Sequence, residues 1–212
     1  MLQYMTVKGF TDELGSKSPA PGGGSIAALS ASLASALASM VFNLTVGKKE
    51  YMEYEKTLKE NIDDSLEKVN VCKEEFLELM EKDTDAFLSL MTAFKMPKNT
   101  EEEIKSRKEK IAEGNKKSLE IPLEVANKAY GLYNYIYVAV KYGNKNALSD
   151  AGVAASLTET AVEGAILNVK INIMGLKDEA YKEELRNKCN TLLENSKSKK
   201  AEIMGIIESK LM

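Results

Sequence analysis

Asp83 is the residue with the most chemistry to offer. Phe76, Met80, Phe87, Leu90 and Phe94 recur around it at helical spacing, so a helix through this segment aims the carboxylate inward with its apolar face. Burial raises a carboxylate's pKa unless a cation or several donors compensate, which tunes an acid or base for work near neutral pH. The same spacing also fits a structural acid bonded to a buried hydroxyl or paired with a lysine. A second feature is the stretch Pro19-Ala20-Pro21-Gly22-Gly23-Gly24-Ser25, which opens directly onto the uncharged run Ile26 to Val46. Glycines admit a ligand close to the backbone, and the first turn of the following helix leaves N–H groups free for an anion or a carbonyl oxygen. A plain tight connection reads equally well from the loop alone.

Other polar residues are weaker candidates. Asn168 and Asn172 lie one turn apart, where two amides could hold a polar heterocycle or simply bridge helices. Lys48 and Lys49 end the uncharged segment, a position that suits the negative end of a helix dipole as well as it suits an anion. Glu101, Glu102 and Glu103 read as an acidic first turn, and Glu159 and Glu163 as buried or solvated acids.

Helices must position these groups. Small residues repeat through the uncharged segment, with Ala27, Ala31, Ser35 and Ala38 beside Ala28, Ser32, Ala36 and Ser39, a spacing that lets backbones approach closely. The segment is long enough to span a bilayer, but its serines, and the absence of a comparable partner segment, favour the central helix of a bundle. Tyr51 to Phe94 keeps a helical period without glycine or proline, and Lys95-Met96-Pro97-Lys98-Asn99 breaks it. Thr100 with Glu103 forms a capping-box pattern; Pro122 is expected to interrupt or kink the helix that follows, before Leu123 to Tyr142 resumes. After a turn at Gly143 to Asn146, Ser149 or Asp150 can cap a second small-residue helix, Ala151 to Met174, with a seam of Val153, Leu157, Thr160, Gly164, Leu167 and Ile171. A last amphipathic helix covers about Asp178 to Leu211. Residues 1–212 thus read as a single all-α domain, an antiparallel helical bundle with long helices and two central small-residue helices. Central packing of both small-residue helices would place their two loop junctions near one another.

Composition narrows the chemistry. The chain has no histidine, which removes His-based triads, His-ligated zinc and Glu-x-x-His di-iron sites, and no other metal-ligand pattern stands out. Cys72 and Cys189 carry no catalytic signature and suit free thiols in a reducing cytoplasm, as does an N-terminus without a signal-peptide apolar core. A net charge of -3 with interspersed signs leaves no footprint for nucleic acid. The glycines lack the following Gly-Lys-Ser/Thr of a P-loop.

Taken together, the residues resemble the formiminotetrahydrofolate cyclodeaminase / methenyltetrahydrofolate cyclohydrolase family. The likeness is carried by Pro19 to Ser25 with Ala27-Ala28-Leu29, by Leu44-Thr45 and Gly47-Lys48-Lys49, and by Asp83 with Ala86-Phe87. It continues through Lys95-Met96-Pro97-Lys98, Ile121-Pro122-Leu123, Gly143-Asn144 with Asn146, Ser149-Asp150 and Asn168-Val169 with Asn172. Met96 departs mildly from the more usual leucine. The resemblance implies a cytoplasmic helical homodimer that takes a reduced folate, a tetrahydrofolate derivative, as substrate without a tightly bound cofactor. The implied reaction converts 5-formimino-tetrahydrofolate to 5,10-methenyl-tetrahydrofolate and ammonia. Methenyltetrahydrofolate cyclohydrolase activity and a non-catalytic folate-binding module are the alternatives. On this basis Asp83 is expected to lead proton transfer, with Asp150 second. Pro21, Gly22, Gly23, Gly24 and Ser25 are expected to contact folate, with Asn144, Asn146, Asn168 and Asn172 as polar contacts and Lys48 or Lys95 on the glutamate tail.

Overall fold

The computed structural model describes residues 1–212 and is all helical. Its α-helices are α1 (Val7–Leu14), α2 (Gly23–Asn43), α3 (Lys49–Glu53), α4 (Lys56–Lys95), α5 (Glu101–Tyr142), α6 (Leu148–Ile173) and α7 (Glu179–Leu211). The expected α-helical bundle is therefore what forms. Contacts between α2 and α4 pair Ser25 with Asp83, Ser32 with Lys73 and Ser39 with Asn70, so the two run antiparallel. Between α2 and α6, Gly23 lies against Asn168, and Gly164 against Ala27. These helices are antiparallel too, whereas α7 runs parallel to α5, with Tyr133 beside Ser196 and Lys210 reaching the carbonyl of Val140.

Small side chains explain why α2 sits centrally. Ala27, Ala28, Ala31, Ala34 and Ala38 are all buried, and they allow α4, α5 and α6 to close around the helix. Its buried hydroxyls are satisfied locally or across the interface. Ser30 and Ser35 donate to carbonyls one turn back, and Ser32 donates to the Lys73 carbonyl. This is the one helix long and apolar enough to cross a membrane, and 67% of its apolar window is buried by the rest of the fold.

Several elements differ from the sequence expectation. Tyr51 belongs to the short α3, and α4 begins at Lys56, because Tyr54 and Glu55 adopt extended backbone between the two helices. Pro122 does not interrupt its helix: α5 runs unbroken from Glu101 to Tyr142. Neither Ser149 nor Asp150 caps α6, which starts at Leu148 directly after a 3₁₀ turn at Lys145–Ala147. The capping box at Thr100 and Glu103 forms as the pattern predicts.

The expected α6 seam faces inward only in part: Leu157 packs on the core and Gly164 lies against Ala27, but Thr160 is exposed. Ala151, Ala154, Ala155, Thr158, Ala161 and Ala165 face the core, while Val153, Leu167 and Ile171 are 51%, 67% and 62% exposed. At the close contact with α2, Gly164 meets Ala27, and Val162, Ile166, Val169 and Ile173 are buried beside the alanines and leave no spare room. Ala161→Leu should therefore destabilise the fold by about 1–3 kcal/mol through overpacking, read as a lower urea midpoint with an unchanged slope.

Candidate active site

Antiparallel packing decides which polar residues meet. The N-terminus of α2 lies beside the second half of α4 and the C-terminal part of α6, so the glycine loop, Asp83, Asn168 and Asn172 share one cavity of about 410 Å³. That size suits a small organic ligand. Pro19, Ala20, Phe87, Leu90, Met91 and Ile171 supply apolar walls.

Asp83 is the chemical centre of this cavity. Gly22 is the N-cap of α2 and Ser25 lies in its first turn, where the peptide N–H groups have no helical acceptor. The Ser25 hydroxyl donates to Asp83 Oδ2 at 2.9 Å, and the hydroxyls of Ser25 and Thr84 lie 3.0 Å apart. With the Ser25 proton committed to the carboxylate, Thr84 donates to Ser25, giving a relay of two hydroxyls onto Asp83. Burial pushes the Asp83 carboxyl above the ordinary carboxylate range, opposed by the Ser25 hydroxyl and the Ser25 peptide N–H.

Gly24 makes this contact possible. A Cβ built on it would lie 2.3 to 2.6 Å from three atoms of the Asp83 carboxyl group. A Cβ at Gly23 would meet the Asn168 amide at 3.3 Å, a tighter but less prohibitive contact. Pro21 is buried behind the loop and follows a cis peptide bond.

The two asparagines on α6 each spend one of their two amide N–H donors on a backbone carbonyl. Asn168 Nδ2 bonds the Gly164 carbonyl at 2.8 Å, and Asn172 Nδ2 bonds the Ser118 carbonyl at 2.6 Å. Thr84 and Ser118 also line the cavity and were missed by sequence reasoning. Thr84 could have been found as the hydroxyl next to an inward-facing acid; Ser118 sits on a distant helix and had no local signal.

The second junction lies elsewhere, which corrects the expectation that the two would adjoin. α2 spans 21 residues, about 30 Å at 1.5 Å per residue. Because α6 runs antiparallel to α2, its N-terminus falls at the far end of that length. There Lys48, Asn144 and Asn146 line a separate cavity of about 410 Å³ together with Lys49 and Lys145. Asn144 is occupied structurally: its Nδ2 donates to the Leu44 carbonyl at 3.0 Å, and its Oδ1 accepts from the Asn146 peptide at 2.9 Å. Asp150 lies in the first turn of α6 at this same end. Lys95 is exposed in the last turn of α4, twelve residues beyond Asp83, or about 18 Å along the helix. Within one chain, then, Asp150, Lys48, Lys95, Asn144 and Asn146 do not line the Asp83 cavity.

The geometry is that of an all-helical bundle with a half-buried carboxyl set against a glycine-rich helix start, in a chain without histidine. The sequence model of the formiminotransferase-cyclodeaminase family matches residues 6–191, and the chain belongs to that family. It is 36% identical over 206 residues to the methenyltetrahydrofolate cyclohydrolase of Methylorubrum extorquens, an alignment covering 97% of each chain. It is 34% identical to rat formimidoyltransferase-cyclodeaminase, with 97% of this chain matched to 37% of that longer protein. The crystal structure of formiminotetrahydrofolate cyclodeaminase from Thermotoga maritima superposes with a TM-score of 0.77 at 25% identity, covering 100% of this chain and 98% of that one.

Gly24→Ala tests the geometry directly. Its methyl group must displace the Asp83 carboxyl, so catalytic efficiency should fall by about 100-fold or more while the circular dichroism spectrum stays helical. Turnover assays on the purified variant, read beside its spectrum, provide the check.

Proposed function

We propose that this protein is a folate one-carbon enzyme that converts 5-formimino-tetrahydrofolate to 5,10-methenyl-tetrahydrofolate and ammonia. The observation that carries the reading is the half-buried Asp83 carboxyl, raised in pKa and held by Ser25 in a cavity without histidine. Family membership and the cyclodeaminase relatives support the substrate class.

The chemistry asks for one mobile proton. N10 of the folate attacks the carbon of the protonated, cationic formimino group and forms a tetrahedral carbon that joins N5, N10 and the departing amine. N10 must lose its proton as the bond forms, and the amine must gain one as it leaves. Asp83 is the proposed carrier, accepting the first proton and delivering it to the leaving nitrogen. Its negative charge also steadies the cationic methenyl product, and the Ser25–Thr84 relay keeps the carboxylate oriented. The acid role requires that Asp83 hold a proton part of the time, which burial favours.

A second reading has its own support. The Methylorubrum relative that aligns over nearly its full length is a cyclohydrolase, and water addition to the methenyl carbon passes through the same kind of tetrahedral centre. Turnover on each folate separately distinguishes them. Methenyl absorbance rising with ammonia release identifies the cyclodeaminase; methenyl loss alone identifies the cyclohydrolase, and acceleration of neither leaves a folate-binding module.

Asp83→Asn tests the carrier. Turnover should fall by about 10² to 10⁴, the usual worth of a positioned acid or base. The sign for stability is opposite to that of most acids. Because the folded-state pKa is raised, the native protein binds this proton more tightly, and charging the group costs stability as pH rises through that value. The asparagine variant should therefore melt no lower than wild type at pH 8. A variant that keeps full turnover would remove Asp83 from the mechanism.

We also propose that the protein acts as a cytoplasmic homodimer. The exposed row Val153, Leu167 and Ile171 on α6 supports this, since three large apolar side chains on one helix face leave apolar surface to cover. Leu167→Glu should shift the sedimenting species toward monomer; wild type sedimenting as a monomer at micromolar concentration would dismiss the dimer.

A further inference from the structure

Pro122 lies inside α5, where it supplies no N–H to the carbonyl four residues earlier, that of Ser118. The missing donor is replaced from another helix: Asn172 Nδ2 on α6 reaches the Ser118 carbonyl at 2.6 Å. A carbonyl oxygen can only accept, so this contact fixes which end of the Asn172 amide faces it. The other end, Oδ1, accepts no hydrogen bond from the protein, and Asn172 lines the Asp83 cavity. Asn168 is set the same way by the Gly164 carbonyl. Asp83 and the Asn172 Oδ1 thus offer the cavity acceptors, while each asparagine has given one of its two amide N–H groups to a carbonyl.

We infer that Pro122 is a positioning residue: by leaving the Ser118 carbonyl unpaired it locks the orientation of the Asn172 amide, so that Oδ1, in the cavity it shares with the Asp83 carboxyl, is held as an acceptor for a ligand with an edge of adjacent N–H donors. An aminopyrimidine ring has such an edge, with ring N–H and exocyclic amino group side by side. The assignment of that edge rests on the folate reading above. The locking of the amide does not, since it follows from the helix and the carbonyl alone. Ser118 adds to the same wall, because its hydroxyl is buried without a protein partner and the residue lines the cavity.

Pro122→Ala is the test, because alanine returns a peptide N–H to the Ser118 carbonyl and releases Asn172. The KM for the folate substrate should rise about three- to tenfold, the worth of one hydrogen bond, with kcat within about twofold. Asn172→Ala should produce a rise of the same size, and Pro122→Ala added to it should cost nothing more. Full additivity of the two changes, or an unchanged KM in Pro122→Ala, would overturn the inference. A merely structural proline would not split KM from kcat in this way. Independently of any folate, the ¹⁵N side-chain amide signals of Asn172, assigned by their loss in Asn172→Ala, should move toward those of a solvent-exposed asparagine in Pro122→Ala. Unchanged signals would overturn the locking. If wild type turns over neither folate, the functional reading fails, and the amide signals decide the locking on their own.

Discussion

The structure turns on the approach of the α2 backbone to the Asp83 carboxyl group, a distance that no residue with a Cβ at position 24 would permit. That contact sets the register of α2 against α4 and brings the Ser25 hydroxyl and peptide N–H onto the acid. It also creates an electrostatic compromise. Burial disfavours the charged carboxylate and raises its pKa, and the donors at the start of α2 oppose that shift. The proposed role of Asp83 as proton carrier draws on that balance.

The same requirement for close approach runs through the rest of the bundle. Alanine and serine on α2 and alanine on α6 allow the helix axes to come together, and the packed interior holds the cavity walls in place. The serines add a second layer of constraint, since each hydroxyl taken from water finds a carbonyl or side-chain acceptor. On its outer side α6 leaves Val153, Leu167 and Ile171 as an exposed apolar face.

Polar groups in the cavity are sorted by what the backbone has already claimed. Asn168 and Asn172 have each given one N–H to a carbonyl, and Ser25 has given its hydroxyl proton to Asp83. What remains toward the ligand is the Asp83 carboxyl, the oriented asparagine amides and the Ser118 hydroxyl, beside apolar walls from Phe87, Leu90 and Ile171. Such a surface fits a flat heterocycle with N–H groups on one edge, and it fits a developing positive charge near the carboxylate. At the other end of α2, Lys48 and Lys49 line a second cavity together with Lys145, which pairs with Glu50.

Much of this was legible in the chain. Helical periodicity, the Thr100–Glu103 cap, the breaks at Pro97 and Gly143, and the inward aim of Asp83 follow from residue types and local spacing, because those features are governed by interactions within one or two turns. The glycine loop and the asparagine pair were visible as candidates for the same reason. Periodicity could not say which face of α6 turns inward, since apolar residues lie on several sides of the helix and only its packing against α2 and α5 decides which are covered. Nor could it say that Lys48, Asn144, Asn146 and Asp150 sit a helix length away from Asp83, because that depends on α2 and α6 running antiparallel. The pairing of Ser118 with Asn172 lies further still from local reading. A proline in one helix leaves a carbonyl without its donor, and only the packing of two helices distant in sequence reveals which side chain takes its place.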